Sequence, residues 1–199
     1  MDKSQSPGNQ SPGNQSPERP PMWVFGYGSL MWNPGFAHSR CEIARLEGYA
    51  RSFCMWSLHH RGTAERPGLV LALDRQPGAR CEGLALQIAP GQEAEALERL
   101  RARELVSSAY LERRLPVRLA DGSIVRAVTF VIDRSHPQYC RGMPLDRQAE
   151  IIAGAVGGRG PNTEYLFSTV ARLAGLGLRD PELEWLSERV RELISPGGE

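Results

Sequence analysis

The chain has 199 residues, 24 basic against 23 acidic side chains and a formal net charge of +1. Charge so evenly balanced leaves no electrostatic footprint for nucleic-acid backbone or an anionic membrane surface. No run reaches the 18 apolar residues that a membrane-spanning helix needs, and the length allows one domain with a sizeable core.

Residues 5–9, 10–14 and 15–19 read QSPGN, QSPGN and QSPER and run into Pro20-Pro21. Residues 2–21 hold no apolar side chain, so nothing there can offset the entropy of ordering. The pattern predicts a disordered low-complexity tail over 1–21, without the apolar core of a secretory signal. A single domain is expected over 22–199.

From Met22 the pattern turns apolar. Met22 to Phe25 reads as a short buried strand stopped by Gly26. Further strands are expected over 43–49, 52–57, 69–73, 83–88, 115–119 and 125–132. Asp74-Arg75-Gln76-Pro77-Gly78 between two of them is good chemistry for a hairpin turn. Helical periodicity marks 92–104, 145–153 after Pro144, 163–174 with Asn162 as the expected N-cap, and 183–194. Strands come first with one helix inserted, and helices close the chain. That order predicts an α+β fold around a strongly curved, largely antiparallel sheet or barrel.

The glycine-rich segments fail the common ligand fingerprints. Gly26-Tyr27-Gly28-Ser29-Leu30-Met31 lacks the third glycine of a dinucleotide loop, and Ser29 lacks the flanking glycines of a nucleophile elbow. The 154–160 stretch has no Gly-Lys-Ser/Thr ending, so it is no phosphate loop and reads as backbone geometry. Cys41, Cys54, Cys81 and Cys140 form no CxxC pair, and His38, His59, His60 and His136 form no HExxH. No metal site is expected, and scattered reduced thiols fit the cytoplasm.

Two features carry chemistry. The small residues at 26–29 let an oxygen approach successive backbone amides. On the 92–104 helix, Leu97, Leu100 and Glu104 share one face, so a carboxylate points the way the leucines do. Burial there raises its pKa, as a general base near neutrality requires; an ion pair with Arg101 or Arg103 is the structural alternative.

Four blocks, taken together, resemble the ChaC family of γ-glutamylcyclotransferases. They are the run from Trp23 to Trp32, His60-Arg61-Gly62-Thr63 with Pro67-Gly68-Leu69-Val70-Leu71, Arg103-Glu104 ahead of Tyr110, and the run Gly160-Pro161-Asn162-Thr163-Glu164-Tyr165-Leu166. The resemblance covers residues 22–194. It implies the γ-glutamylcyclotransferase-like mixed β-barrel with flanking helices, and cleavage of glutathione to 5-oxoproline and cysteinylglycine without metal or cofactor. By the same resemblance Glu104 is the catalytic acid/base, and Tyr27, Gly28, Ser29 and Leu30 form the substrate-binding loop. Tyr110 and Tyr165 fall in the matched blocks as lining residues. Arg61 stands between a glycine-carboxylate contact and a structural ion pair, and His60 reads as structural. Leu105 to Ala109 replaces glycines that some members carry, which implies a stiffer loop. Other γ-glutamyl substrates, or a non-catalytic glutathione-binding regulator, remain open alternatives.

Overall fold

The computed structural model describes residues 20–195, so the tail expected over 1–21 lies outside the described residues except for Pro20 and Pro21. Seven strands and four helices follow in the order β1 (Trp23–Gly26), β2 (His38–Ser57), β3 (Gly68–Ile88), α1 (Glu93–Glu104), β4 (Tyr110–Leu119), β5 (Ile124–Ile132), α2 (Leu145–Gly154), β6 (Val156–Gly157), β7 (Gly160–Pro161), α3 (Asn162–Gly175) and α4 (Pro181–Ile194). Strands β1 to β5 close a barrel in the order β1-β3-β2-β4-β5. All neighbouring pairs in that order are antiparallel, and a parallel pairing of Trp23 with Ala127 and Val24 with Val128 completes the ring. The α+β barrel expected from the chain order is therefore what the molecule builds.

Two expectations about its strands need correction. Residues 43–49 and 52–57 belong to one strand, and so do 69–73 and 83–88. The hairpin turn predicted at 74–78 is a bulge. Tyr49 faces Arg75 and Glu47 faces Arg80, so residues 76–79 loop out of β3 opposite Gly48. Pro77 cannot donate to a ladder and Gly78 sits at φ +82°, so turn chemistry here kinks a long strand without reversing it. Kinked strands of this length can wrap from one wall of a small barrel to another.

The core explains where the site lies. Phe25, Phe53, Leu71, Leu73, Leu84 and Leu86 pack the barrel interior together with Tyr27 and Tyr165. A second cluster joins Leu97 and Leu100 of α1 to Val24, Ile88, Val128 and Phe130 of the barrel wall. Burial of each leucine is worth about 1.5–3 kcal/mol, enough to fix the rotation of a short helix. Glu104, one turn beyond Leu100, is thereby directed along the wall.

Asn162 does not cap α3 as expected; Pro161 holds that position. The Asn162 side chain is fully buried and bonds both polar groups of Leu69, accepting from its N–H at 2.7 Å and donating to its C=O at 2.8 Å. A cap would satisfy only the helix, whereas this pair welds α3 to β3 and sets the depth of Tyr165.

Candidate active site

A pocket of about 220 Å³ opens at one end of the barrel. It brings together every residue expected from sequence: Tyr27, Gly28, Ser29, Leu30, Glu104, Tyr110 and Tyr165 all line it. Arg61 and His60 line it too.

The floor begins where β1 ends. Ser29–Met31 form a single 3-10 turn, whose first hydrogen bond runs from the Met31 N–H to the Gly28 C=O at 2.9 Å. The amides of Gly28, Ser29 and Leu30 precede that bond, so the turn itself leaves them without an acceptor. A side chain at 28 would place its Cβ 3.0 Å from the Tyr165 hydroxyl, which accounts for the glycine. The turn is held from below by Arg51, a residue that no sequence signal marked. Its guanidinium is nearly inaccessible and donates to the carbonyls of Tyr27 (3.1 Å) and Glu82 (3.0 Å). It also makes a two-pronged contact with Asp180, the N-cap of α4, at 3.0 and 2.7 Å.

Three phenols surround the carboxylate. Tyr27 donates its hydroxyl proton to the Phe130 carbonyl at 2.9 Å, and Tyr110 donates to the Leu71 carbonyl at 2.8 Å. Tyr165 is wedged against Phe53, edge to face at 6.0 Å, and against Trp32 at 6.1 Å. Burial pushes all three phenols well above their ordinary range; the charge of Glu104 comes next at Tyr27 and Tyr165, and follows the two other phenols at Tyr110, so all three stay protonated.

Glu104 is largely covered. Burial raises its pKa above the ordinary glutamate value, while Arg103 and Arg159 pull the other way. The ion-pair alternative is also realised: Arg103 Nε lies 3.1 Å from Glu104 Oε1. The same guanidinium donates to Ser29 Oγ and to the Asn33 carbonyl, each at 2.6 Å. Arg103 thus ties the Glu104 carboxylate to the glycine-rich turn. Because Ser29 Oγ accepts from Arg103, its own proton is free to be donated into the pocket. Arg101 pairs instead with Glu112.

The rim is made by residues 57–61 and the β6–β7 ribbon. Arg61 donates to the Pro161 carbonyl at 3.0 Å, lies 3.5 Å from Glu164 and stacks on the Tyr165 ring at 5.6 Å. His60 is held below the ordinary histidine range by burial and by the neighbouring cations, Arg159 foremost. No group of three or more His, Cys, Asp or Glu side chains gathers as a metal site among the described residues.

A covered carboxylate, neutral phenols and free amides at the end of a barrel suit a proton transfer beside a developing oxyanion. Residues 22–193 match the family of ChaC-like proteins. The chain belongs to the ChaC-like family. Among its relatives, the glutathione-specific gamma-glutamylcyclotransferase of Escherichia coli (strain K12) is 37% identical, over 88% of this chain and 75% of that one. Gamma-glutamylcyclotransferase 2-1 of Arabidopsis thaliana is 38% identical, over 87% of this chain and 83% of that protein. A crystal structure of the yeast gamma-glutamyl cyclotransferase specific to glutathione shares the ChaC-like fold, with a TM-score of 0.79 at 23% identity over 88% of this chain and 97% of that one.

Sequence reasoning missed Arg51, which supports the turn, and Arg159, which lines the pocket, and weighed Arg103 only as an ion-pair partner. Adjacency to Glu104 was the available signal for Arg103. Arg51 offered none, since it fell in a supposed gap between strands.

Proposed function

We propose that this chain is a glutathione-specific γ-glutamylcyclotransferase that converts glutathione to 5-oxoproline and cysteinylglycine. The observation that carries the reading is the covered Glu104 carboxylate, tied by Arg103 to a turn with free amides. That arrangement supplies both a base and an oxyanion site within one small pocket.

The γ-glutamyl half enters first, its α-carboxylate or γ-carbonyl oxygen toward the 28–30 amides. The α-amine attacks the γ-carbonyl carbon, closing a five-membered lactam, and the bond to the cysteinyl nitrogen breaks. Both reacting groups belong to one molecule, and well-aligned cyclisations reach effective molarities of about 10⁵ M or more. The α-ammonium must lose a proton before it can attack, and free α-amines have a pKa of about 8. Glu104, with its raised pKa, takes that proton and delivers it to the departing nitrogen. A second proton leaves the α-nitrogen and reaches the cysteinyl amine through solvent, so the step is balanced and redox-neutral. It draws on no metal or cofactor. Tyr165 and Ser29 orient the γ-glutamyl group by donating hydrogen bonds to its oxygens, while Tyr27 and Tyr110, whose protons are held by the Phe130 and Leu71 carbonyls, offer it only acceptor oxygens.

The same reading makes the partner a small molecule and the compartment the cytoplasm, where the four free cysteines stay reduced. No helix among the described residues is long and apolar enough to cross a membrane.

The test is to incubate the purified protein with glutathione in the presence of chelator and quantify 5-oxoproline and cysteinylglycine by mass spectrometry. The two should appear in equal amounts. 5-Oxoproline only from γ-glutamyl amino acids or amines would replace the substrate while keeping the reaction. Binding without turnover across the panel would overturn the enzyme in favour of a regulator.

A further inference from the structure

We propose that Arg159 recognises the carboxylate at the glycine end of the substrate and so separates glutathione from γ-glutamyl compounds that lack a carboxylate at that reach. The proposal rests on the activity proposed above and adds a specificity-determining residue to it.

Three arginines line the pocket: Arg61, Arg103 and Arg159. Two are already engaged. Arg103 is held by Glu104, Ser29 and Asn33, and Arg61 by Pro161, Glu164 and the Tyr165 ring. The Arg159 side chain has no hydrogen bond or ion pair among the described residues and is exposed at the rim. A guanidinium without a protein partner, facing a pocket, is a fork waiting for a planar anion.

Its backbone is anything but loose. Arg159 sits on the connection between β6 and β7, where Val156 pairs with Pro161 and Gly157 with Gly160. The ribbon is stitched to the rim by the Gly158 N–H to the His59 carbonyl at 2.8 Å and the Arg159 N–H to the His60 carbonyl at 2.9 Å. A Cβ at Gly157 would stand 2.4 Å from the Gly62 amide nitrogen, so main chain packs on main chain. The root of Arg159 is therefore fixed over the mouth while its head is free. Arg159 lines the same pocket as Glu104 and His60.

Substrate polarity then assigns the ends. The γ-glutamyl group must reach Glu104 and the amides of the floor. The cysteinylglycine half points outward, and its terminal carboxylate arrives where the unengaged guanidinium stands. A γ-glutamylamine would bring no anion to that place.

The test compares glutathione with its glycine-carboxyl monoethyl ester, using the wild-type chain, R159Q and R159K. The substitution is on an exposed side chain, so folding is not at stake. Wild type should lose roughly ten- to a hundredfold in kcat/KM on the ester, the worth of a charge-assisted hydrogen bond. R159Q should lose a similar factor on glutathione, through KM with kcat nearly unchanged, and should no longer distinguish the two substrates. R159K should fall between. Equal use of glutathione and ester by wild type would overturn the proposal, as would an R159Q enzyme that still discriminates. A fall in kcat at constant KM would overturn it too, by moving Arg159 into the chemistry at Glu104. No turnover of glutathione by wild type would defeat the cyclotransferase reading itself, and the proposal with it.

Discussion

The floor and the rim of the pocket are built on opposite principles. On the floor the functional groups are largely covered and held by protein partners: Tyr27 and Tyr110 by carbonyl acceptors, Glu104 by Arg103, and the turn by Arg51. The rim is cationic: Arg61 is covered and held by protein partners, while Arg159 stands exposed at the opening. Desolvation suits proton transfer, because it brings a carboxylate toward the pKa of the group it must serve. Recognition of an anionic tail needs charge at the surface, where binding costs little desolvation. Substitutions on the floor should therefore act on kcat or stability, and those on the rim on KM.

The largest effect is expected at Glu104. E104Q keeps the shape and removes the base, so kcat should fall by about 10²–10⁴ with KM within a few-fold. In wild type, kcat/KM should fall as pH drops through the raised Glu104 pKa, above the ordinary value of 4.5. That acid limb should vanish from the residual activity of E104Q. Stability should move the other way. A carboxylate whose folded pKa is raised binds its proton more tightly when folded, so stability is lost as pH rises from the unfolded to the folded pKa. At neutral pH the full penalty is present, and a neutral Gln removes it. The melting temperature of E104Q should rise on the order of 1–3 °C. A lower melting temperature with lost binding would make Glu104 a structural residue.

Next comes Arg51, which links floor to scaffold. R51M leaves the Asp180 carboxylate and two carbonyls without their donor, and breaking a buried pair in this way costs about 3–5 kcal/mol. Urea denaturation should show that loss, and R51K should recover little of it, because a lysine cannot span two carbonyls and a carboxylate at once. A change under about 1 kcal/mol would mean that Asp180 and the turn are held by other contacts.

The same contrast explains what could be read from sequence. The strand-first order and the leucine stripe of α1 were legible because burial imposes periodicity, and Glu104 stood out by breaking that stripe. The ChaC-like blocks brought Tyr110 and Tyr165 to the pocket, which no periodicity could do. The bulge at 76–79 was illegible because Pro-Gly chemistry reads alike whether the chain reverses or only kinks. Asn162 looked like a cap because its partner, Leu69, lies 93 positions away. Arg51 and Arg159 owe their roles to long-range placement, and a lone arginine carries no pattern.

The smallest effect concerns the segment that joins floor to mouth. Leu105 to Ala109 runs from Glu104 to Tyr110, and Val106 and Ser107 line the pocket on the way. Ser108 has φ +56°, the one positive value at a non-glycine position among the described residues. Left-handed backbone costs an L-residue roughly 1–2 kcal/mol, and glycine escapes it while losing more chain entropy on folding. S108G should then stabilise the protein by about 0.5–1 kcal/mol, a net gain left after the entropy is subtracted. S108V, β-branched in the same conformation, should destabilise it by more than that. The stiffer loop expected from the missing glycines becomes measurable through the same pair. If the loop gates substrate, S108G should change kcat and KM together while Glu104 titrates as before. Unchanged kinetics alongside the gain in stability would show that strain at Ser108 is confined to the backbone and never reaches the pocket.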